Sequence, residues 1–197
     1  MNFFLLKEKI EARQETLVKT YWDIFGGSIP NDKQYWTLCH NQPNKQGSEI
    51  NQLVRLGLIN KRQFHGVDKS KSIISQNKKI HPDAFWHWGE WIDVIKNNPK
   101  FNPALIYLDT MYVTTKGPAL TITMQTLGVC PAHTMVAVNV MLTNPHSGES
   151  FDDQEFPKNI RELLTPEANK SWHEYKGFYI YSSTKRTFMG TYIFWRE

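Results

Sequence analysis

The sequence predicts a doubly wound α/β domain: a mostly parallel, seven-stranded sheet with helices on both faces. Short apolar runs of strand length alternate with helical segments of about ten residues, the spacing that a crossover between parallel neighbours needs. One run, Ala104-Leu105-Ile106-Tyr107-Leu108, is apolar without a break, as expected of a strand buried on both faces. Near the end of the chain, Phe178-Tyr179-Ile180-Tyr181 and Thr191-Tyr192-Ile193-Phe194-Trp195 predict an antiparallel hairpin around Ser182 to Gly190.

In chain order, Phe3, Leu6, Ile10, Leu17, Tyr21, Ile24 and Phe25 recur with helical periodicity, and Gly26-Gly27 stops that helix. Residues 1–30 are therefore expected to form a helical extension to a core spanning 34–197, the whole being one domain. Tyr35–Cys39 reads as the first strand, followed by the polar loop His40 to Gly47. Ser48 stands where it can cap a helix carrying Ile50, Leu53, Val54 and Leu56 on one face. Gln63–Asp68 is the second strand, and the helix through Ile73, Ile74 and Asn77 must end before Pro82. Ala84–Trp88 is the third strand, leading through Gly89-Glu90 into a short helix at Trp91–Ile95. The apolar run ending on Asp109 is the fourth. Gly117-Pro118 opens a helix with proline near its first position, reaching Gly128. Thr134–Leu142 is the fifth strand, residues 144–155 a polar loop, and Phe156–Leu164 a brief helix halted by Pro166.

Bulk properties narrow the function classes. The 197 residues suffice for one domain with a full core. No stretch approaches the roughly 18 apolar residues of a membrane span, and the N-terminal Phe3-Phe4-Leu5-Leu6 followed by Lys7-Glu8-Lys9 does not read as a signal peptide. Cys39 and Cys130 stand far apart, which excludes a disulfide framework or a clustered-cysteine zinc site and suits reduced thiols in the cytoplasm. The seven histidines lack helical metal-ligand spacing, so no metal is expected. Neither a Gly-x-Ser-x-Gly elbow nor a phosphate loop appears, which removes support for hydrolase and triphosphatase readings. The net charge of +4 and pI near 9.0 favour an anionic partner such as nucleic acid. Lys69, Lys71, Lys78 and Lys79 read as a solvated helix face, and Trp86 and Trp88, alternating on one sheet face, as core.

In open sheets of this kind, ligands bind beyond the carboxyl ends of the strands, where the strand order reverses. Three strand ends carry acids: Asp68, Glu90 after Gly89, and Asp109. One carboxylate can accept hydrogen bonds from both hydroxyls of a ribose, whereas each acid alone could equally serve to cap the following helix.

Taken together, Gly66-Val67-Asp68, Gly89-Glu90-Trp91 and Leu105-Ile106-Tyr107-Leu108-Asp109, with two strands at the C-terminal end, resemble the class I S-adenosylmethionine-dependent methyltransferases over roughly residues 34–197. The resemblance implies S-adenosylmethionine as cofactor. It places Asp68 on the ribose, Gly89 and Glu90 at the adenine, Trp91 or Ile92 over an adenine face, and Asp109 beside the methionine end and the methyl acceptor. The family's glycine-rich first loop is missing. Its place is taken by Cys39 to Gly47, so that His40, Asn41, Gly47 and Ser48 are the cofactor contacts expected there. Asp109-Thr110-Met111-Tyr112 matches, at its two ends only, the motif of methyltransferases acting on nucleobase amines, which implies Asp109 and Tyr112 as catalytic residues. The acceptor favoured is nucleic acid or a nucleobase, ahead of a small molecule or protein. The alternative function is a methyltransferase-like module that binds or assembles without catalysis. A nicotinamide-dependent oxidoreductase is disfavoured because Gly-x-Gly-x-x-Gly is also absent.

Overall fold

A computed structural model of the chain describes residues 7–113, 117–142, 158–160, 162, 172–184 and 187–196. The N-terminal extension runs as α1 (Lys7–Arg13), a π-helical stretch (Gln14–Lys19) and α2 (Thr20–Phe25). It ends where predicted: Gly26 takes a left-handed φ of 76° and donates its N–H to Trp22 O at 2.8 Å. The alternating core follows as β1 (Gln34–Leu38), α3 (Glu49–Arg55), β2 (Phe64–Asp68), α4 (Lys71–Ile80), β3 (Phe85–Trp88), α5 (Trp91–Lys96), β4 (Pro103–Val113), α6 (Pro118–Leu127) and β5 (Thr134–Met141). The chain returns through β6 (His173–Thr184) and β7 (Thr187–Arg196). The polar loop predicted at 144–155 and most of the helix predicted at 156–164 lie outside the described residues; 158–160 and 162 are helical.

The strands form one mixed sheet in the order β3-β2-β1-β4-β5-β7-β6. β1 pairs in parallel with both β2 and β4, β2 with β3, and β4 with β5, while β7 is antiparallel to its two neighbours. The chain leaves β1 in one direction to build β2 and β3, then returns to the other side of β1 for β4. Strand order therefore reverses between β1 and β4.

Two details differ from expectation. The terminal strands run closer to their turn than the predicted Ser182–Gly190 connection allows, because pairing continues through Ser182↔Phe188 and Thr184↔Thr187. β4 does not end at Asp109 but continues to Val113, keeping Asp109↔Asn139 and Val113↔Met141 in register with β5 across an irregularity.

Period-two alternation divides the core between the two sheet faces. Tyr35, Leu105 and Tyr107 pack with Leu17, Val18 and Tyr21 of the N-terminal helices and Ile50 and Leu53 of α3. Trp36, Ile106 and Leu108 pack with Trp91 and Ile95 of α5 and Ala119 and Leu127 of α6. Each layer buries a stripe of large side chains, and each fully buried one contributes roughly 1.5–3 kcal/mol. Gly66 is where β2 meets its neighbours most tightly: a Cβ there would lie 2.7 Å from Trp86 Cζ3 and 2.9 Å from Cys39 Cβ. Trp86 is half-buried and packs against the core, with its ring 5.4 Å from that of Phe64. Trp88, also expected in the core, does not: it is 56% exposed, with Lys71 Nζ 4.0 Å above its ring. No helix among the described residues is long and apolar enough to cross a membrane.

Candidate functional site

A cleft of about 420 Å³ opens at the carboxyl ends of β1, β2, β3 and β4, at the reversal of strand order. Leu38, Cys39 and His40 form one end of it, and Asp109 and Thr110 lie along β4. Val67, Asp68 and Lys69 follow β2, while Gly89 and Glu90 follow β3. The remaining wall comes from helices: Trp91 and Ile92 on α5, Pro118, Thr121, Ile122 and Gln125 on α6.

Of the residues predicted to bind a cofactor, His40, Asp68, Gly89, Glu90, Trp91 and Asp109 come together here. Asp68 Oδ1 accepts the Ser70 N–H at 2.7 Å, tying the acid to the loop before α4, and Ser70 rather than Asp68 caps that helix through Oγ to Ile73 N. Asp68 Oδ2 accepts no hydrogen bond from the described residues. Glu90 stands at the rim, paired with Lys69 at 2.8 Å between two largely exposed side chains. Gly89 has a φ of 146°, strained for any other residue, and a Cβ there would meet Val94 Cγ2 at 3.1 Å. Trp91 lines the cleft with little exposed surface. It is 3% exposed and anchored in the core by Nε1 donating to Thr126 Oγ1 at 2.8 Å, so that Ile92 is the more exposed apolar α5 side chain of the wall.

Asn41, Gly47 and Ser48 do not reach the cleft. Asn41 is exposed, Gly47 O accepts from Arg13 Nη1 at 3.3 Å, and Ser48 Oγ donates to Lys45 O at 2.8 Å instead of capping α3. Arg13 holds the far end of the loop, at Gly47, toward α1, while Asn77 of α4 holds its near end at His40 and Gln42.

Asp109 is the largest correction. Because β4 continues through it, its carboxylate turns toward the N-terminal helix, where Lys9 Nζ lies 2.6 Å from Oδ2 and Asn139 Nδ2 donates to Oδ1 at 2.7 Å. Burial alone would raise its pKa, but the Lys9 ammonium and the charge of His40 outweigh that and hold the carboxyl well below the usual carboxylate range. Of the predicted nucleobase-amine pair, the acid is thus paired within the fold by Lys9 and Asn139, while Tyr112 lies within β4 and its side chain falls outside the described residues.

One helical turn beyond Lys9, Arg13 is also buried and lies 3.8 Å from Glu49 Oε2, while Tyr35 Oη donates to Glu49 Oε1 at 2.9 Å. Burial pushes the Glu49 carboxyl up against the pull of Arg13. These two cations were missed in the sequence, where they read as part of a polar face. The spacing Lys9, Arg13, Thr16, Thr20 does place four now-buried residues on one helical stripe.

Behind the cleft, His65 Nδ1 and His87 Nε2 lie 3.1 Å apart, and both rings stack near Trp36, at 4.4 and 4.8 Å. Burial, reinforced by His87, pushes the His65 pKa down to about 3, and burial lowers that of His87. The sign follows: below about pH 6.5 the unfolded chain takes up protons that the folded chain refuses, so stability is lost as pH falls from there toward 3, by about 1.4 kcal/mol per pH unit for one such histidine. Urea unfolding at a series of pH values is expected to show this slope, and His65→Gln is expected to flatten it. An equal slope in the variant would reassign it to His81, whose pKa burial also lowers, or to His87.

The strand order, the reversal point and the cleft define a class: the fold is that of the class I S-adenosylmethionine-dependent methyltransferases. Solved structures with this fold include DesVI of Streptomyces venezuelae, at 10% identity over 97% of this chain and 93% of that one, TM-score 0.58. An rRNA methylase of Streptococcus thermophilus matches over 91% of this chain and 96% of its own at 7% identity, TM-score 0.59. Geranyl diphosphate C-methyltransferase of Streptomyces coelicolor, solved with S-adenosyl-L-homocysteine, matches over 96% and 82% at 12% identity, TM-score 0.56. No protein-family profile matches the chain, and no curated protein sequence does.

Proposed function

We propose that the chain is a methyltransferase that binds S-adenosylmethionine in this cleft. The observation that carries the reading is Asp68, an acid at the end of β2 with one carboxylate oxygen tied to its own loop and the other left to the cleft. The rest of the lining suits a nucleoside with a polar tail. Ile92 and Ile122 supply apolar surface for a base, Glu90 an acceptor for an exocyclic amine at the rim, and Cys39 and His40 the end toward the methionine portion. When bound, the cofactor supplies a sulfonium methyl for in-line transfer to an acceptor nucleophile. The residues bind, align and exclude water, and no covalent bond to the protein is required.

For the acceptor, a nucleic acid is favoured by the net charge of +4 and by Lys71 stacked on the exposed face of Trp88 near the cleft. Asp109 is left out of the acceptor role because Lys9 and Asn139 take its carboxylate. That same pairing favours a second reading, a module that binds nucleosides or partners without catalysis.

Calorimetric titration with S-adenosylmethionine and S-adenosylhomocysteine, with NADH as control, tests the first reading. Micromolar binding of the first two and none of the third is expected. Failure of all three to bind would leave the noncatalytic module.

A further inference from the structure

We infer that Asn77, a fully buried amide on α4, is the positioning residue that holds the loop after β1 in the shape lining the cleft, a task that glycines perform elsewhere in this fold. The inference rests on the methyltransferase reading for its ligand. The loop from Cys39 to Gly47 has only its last residue as glycine, and no residue from 39 to 47 adopts a positive φ. Its path is instead held by side chains of α4 and its C-cap.

Asn77 is 0% exposed. Its Oδ1 accepts the Gln42 N–H at 2.8 Å, and its Nδ2 donates to His40 O at 2.9 Å and lies 3.9 Å from Cys39 Sγ. At the C-cap of the same helix, His81 Nε2 donates to Gln42 O at 3.0 Å. The Asn77 amide thus reads both a donor and an acceptor of the loop backbone two residues apart, which fixes the loop's position and direction together. Cys39 and His40, the residues so fixed, are the ones that form the β1 end of the cleft.

The side chains of Asp68 and Glu90 hang on other supports, Ser70 N–H and Lys69. Loosening Asn77 therefore affects the part of the ligand that reaches Cys39 and His40 and spares the nucleoside. A residue with only a structural role would not make that distinction.

The test compares S-adenosylhomocysteine with 5′-methylthioadenosine, which keeps the nucleoside and lacks the amino-acid portion. Asn77→Ala is expected to weaken the first by about tenfold or more and the second by no more than about twofold, the scale on which displaced groups lose binding and alignment. Equal losses for both, or none for either in a folded variant, overturn the inference.

Hydrogen exchange provides a readout that needs no ligand. In the unsubstituted protein the Gln42 amide is expected to exchange as slowly as the β1 core and, in Asn77→Ala, to lose protection while β4 and β5 keep theirs. Rapid exchange at Gln42 in the unsubstituted protein overturns the clamp outright. If the unsubstituted protein binds neither nucleoside, the methyltransferase reading fails, and the exchange result alone decides whether Asn77 holds the loop.

Discussion

Lys9→Met is expected to destabilise the fold by about 3–5 kcal/mol, because it leaves the Asp109 carboxylate buried without the cation it was folded against. In a chain of this length that lowers the melting temperature by roughly 6–20 °C. The pair contributes little beyond what two apolar side chains of similar shape could supply, so the loss is a penalty for a stranded charge. Adding Asp109→Asn to Lys9→Met removes that charge while keeping an oxygen for Asn139 Nδ2, and the double variant is expected to recover most of the loss.

The pH dependence of the deficit has a definite sign. In the unsubstituted protein Asp109 is held below its ordinary value, so its contribution is in place above the unfolded value of about 3.9 and is lost only as pH falls below it. Without Lys9, burial dominates and pushes the carboxyl up. A raised acid costs stability as pH rises through its unfolded value, so the deficit should be larger at about pH 8 than at about pH 5. Thermal unfolding of the two single variants and the double variant at both pH values checks this. Additive effects across the cycle would show that Lys9 and Asp109 do not act as a pair.

This pair also shows where a sequence stops being legible. An apolar run that meets an aspartate reads as a strand reaching its end, since a carboxylate inside a sheet needs a partner. Here the partner lies 100 residues upstream, on a helix whose lysines and arginines look like its solvent face. Nothing local distinguishes Lys9 from Lys7, which is exposed and pairs with Glu11. The buried runs of β1, β2, β4 and β5 were legible because hydrophobicity and length are local properties, and so were the acids at the ends of β2 and β3. The insertion of β7 between β5 and β6 was not, because strand order follows from tertiary packing. Asn77 was invisible for a related reason: in the sequence it is one more polar residue of a lysine-rich helix, and only burial against loop 39–42 reveals what its amide does.

Asp68→Ala is expected to reduce affinity for S-adenosylhomocysteine by about 1.5–3 kcal/mol, roughly 10- to 150-fold, with the fold intact. The magnitude is that of hydrogen bonds to a charged acceptor, and the half-buried position of Asp68 keeps most of it unscreened. Alanine also deletes the bond from Ser70 N–H, so part of its effect could come from the loop. Asp68→Asn separates the two contributions. Its amide oxygen can still accept from Ser70, but the second oxygen is replaced by an amide NH2 that donates where a ribose hydroxyl also donates. If the ribose is the partner, Asn should lose nearly as much affinity as Ala. If the loop is what matters, Asn should bind like the unsubstituted protein. A ligand lacking the ribose hydroxyls completes the cycle: it should bind the unsubstituted protein weakly and be indifferent to either substitution. Calorimetry on all three proteins with both ligands measures it, and an undiminished affinity in folded Asp68→Asn would take the ribose away from Asp68.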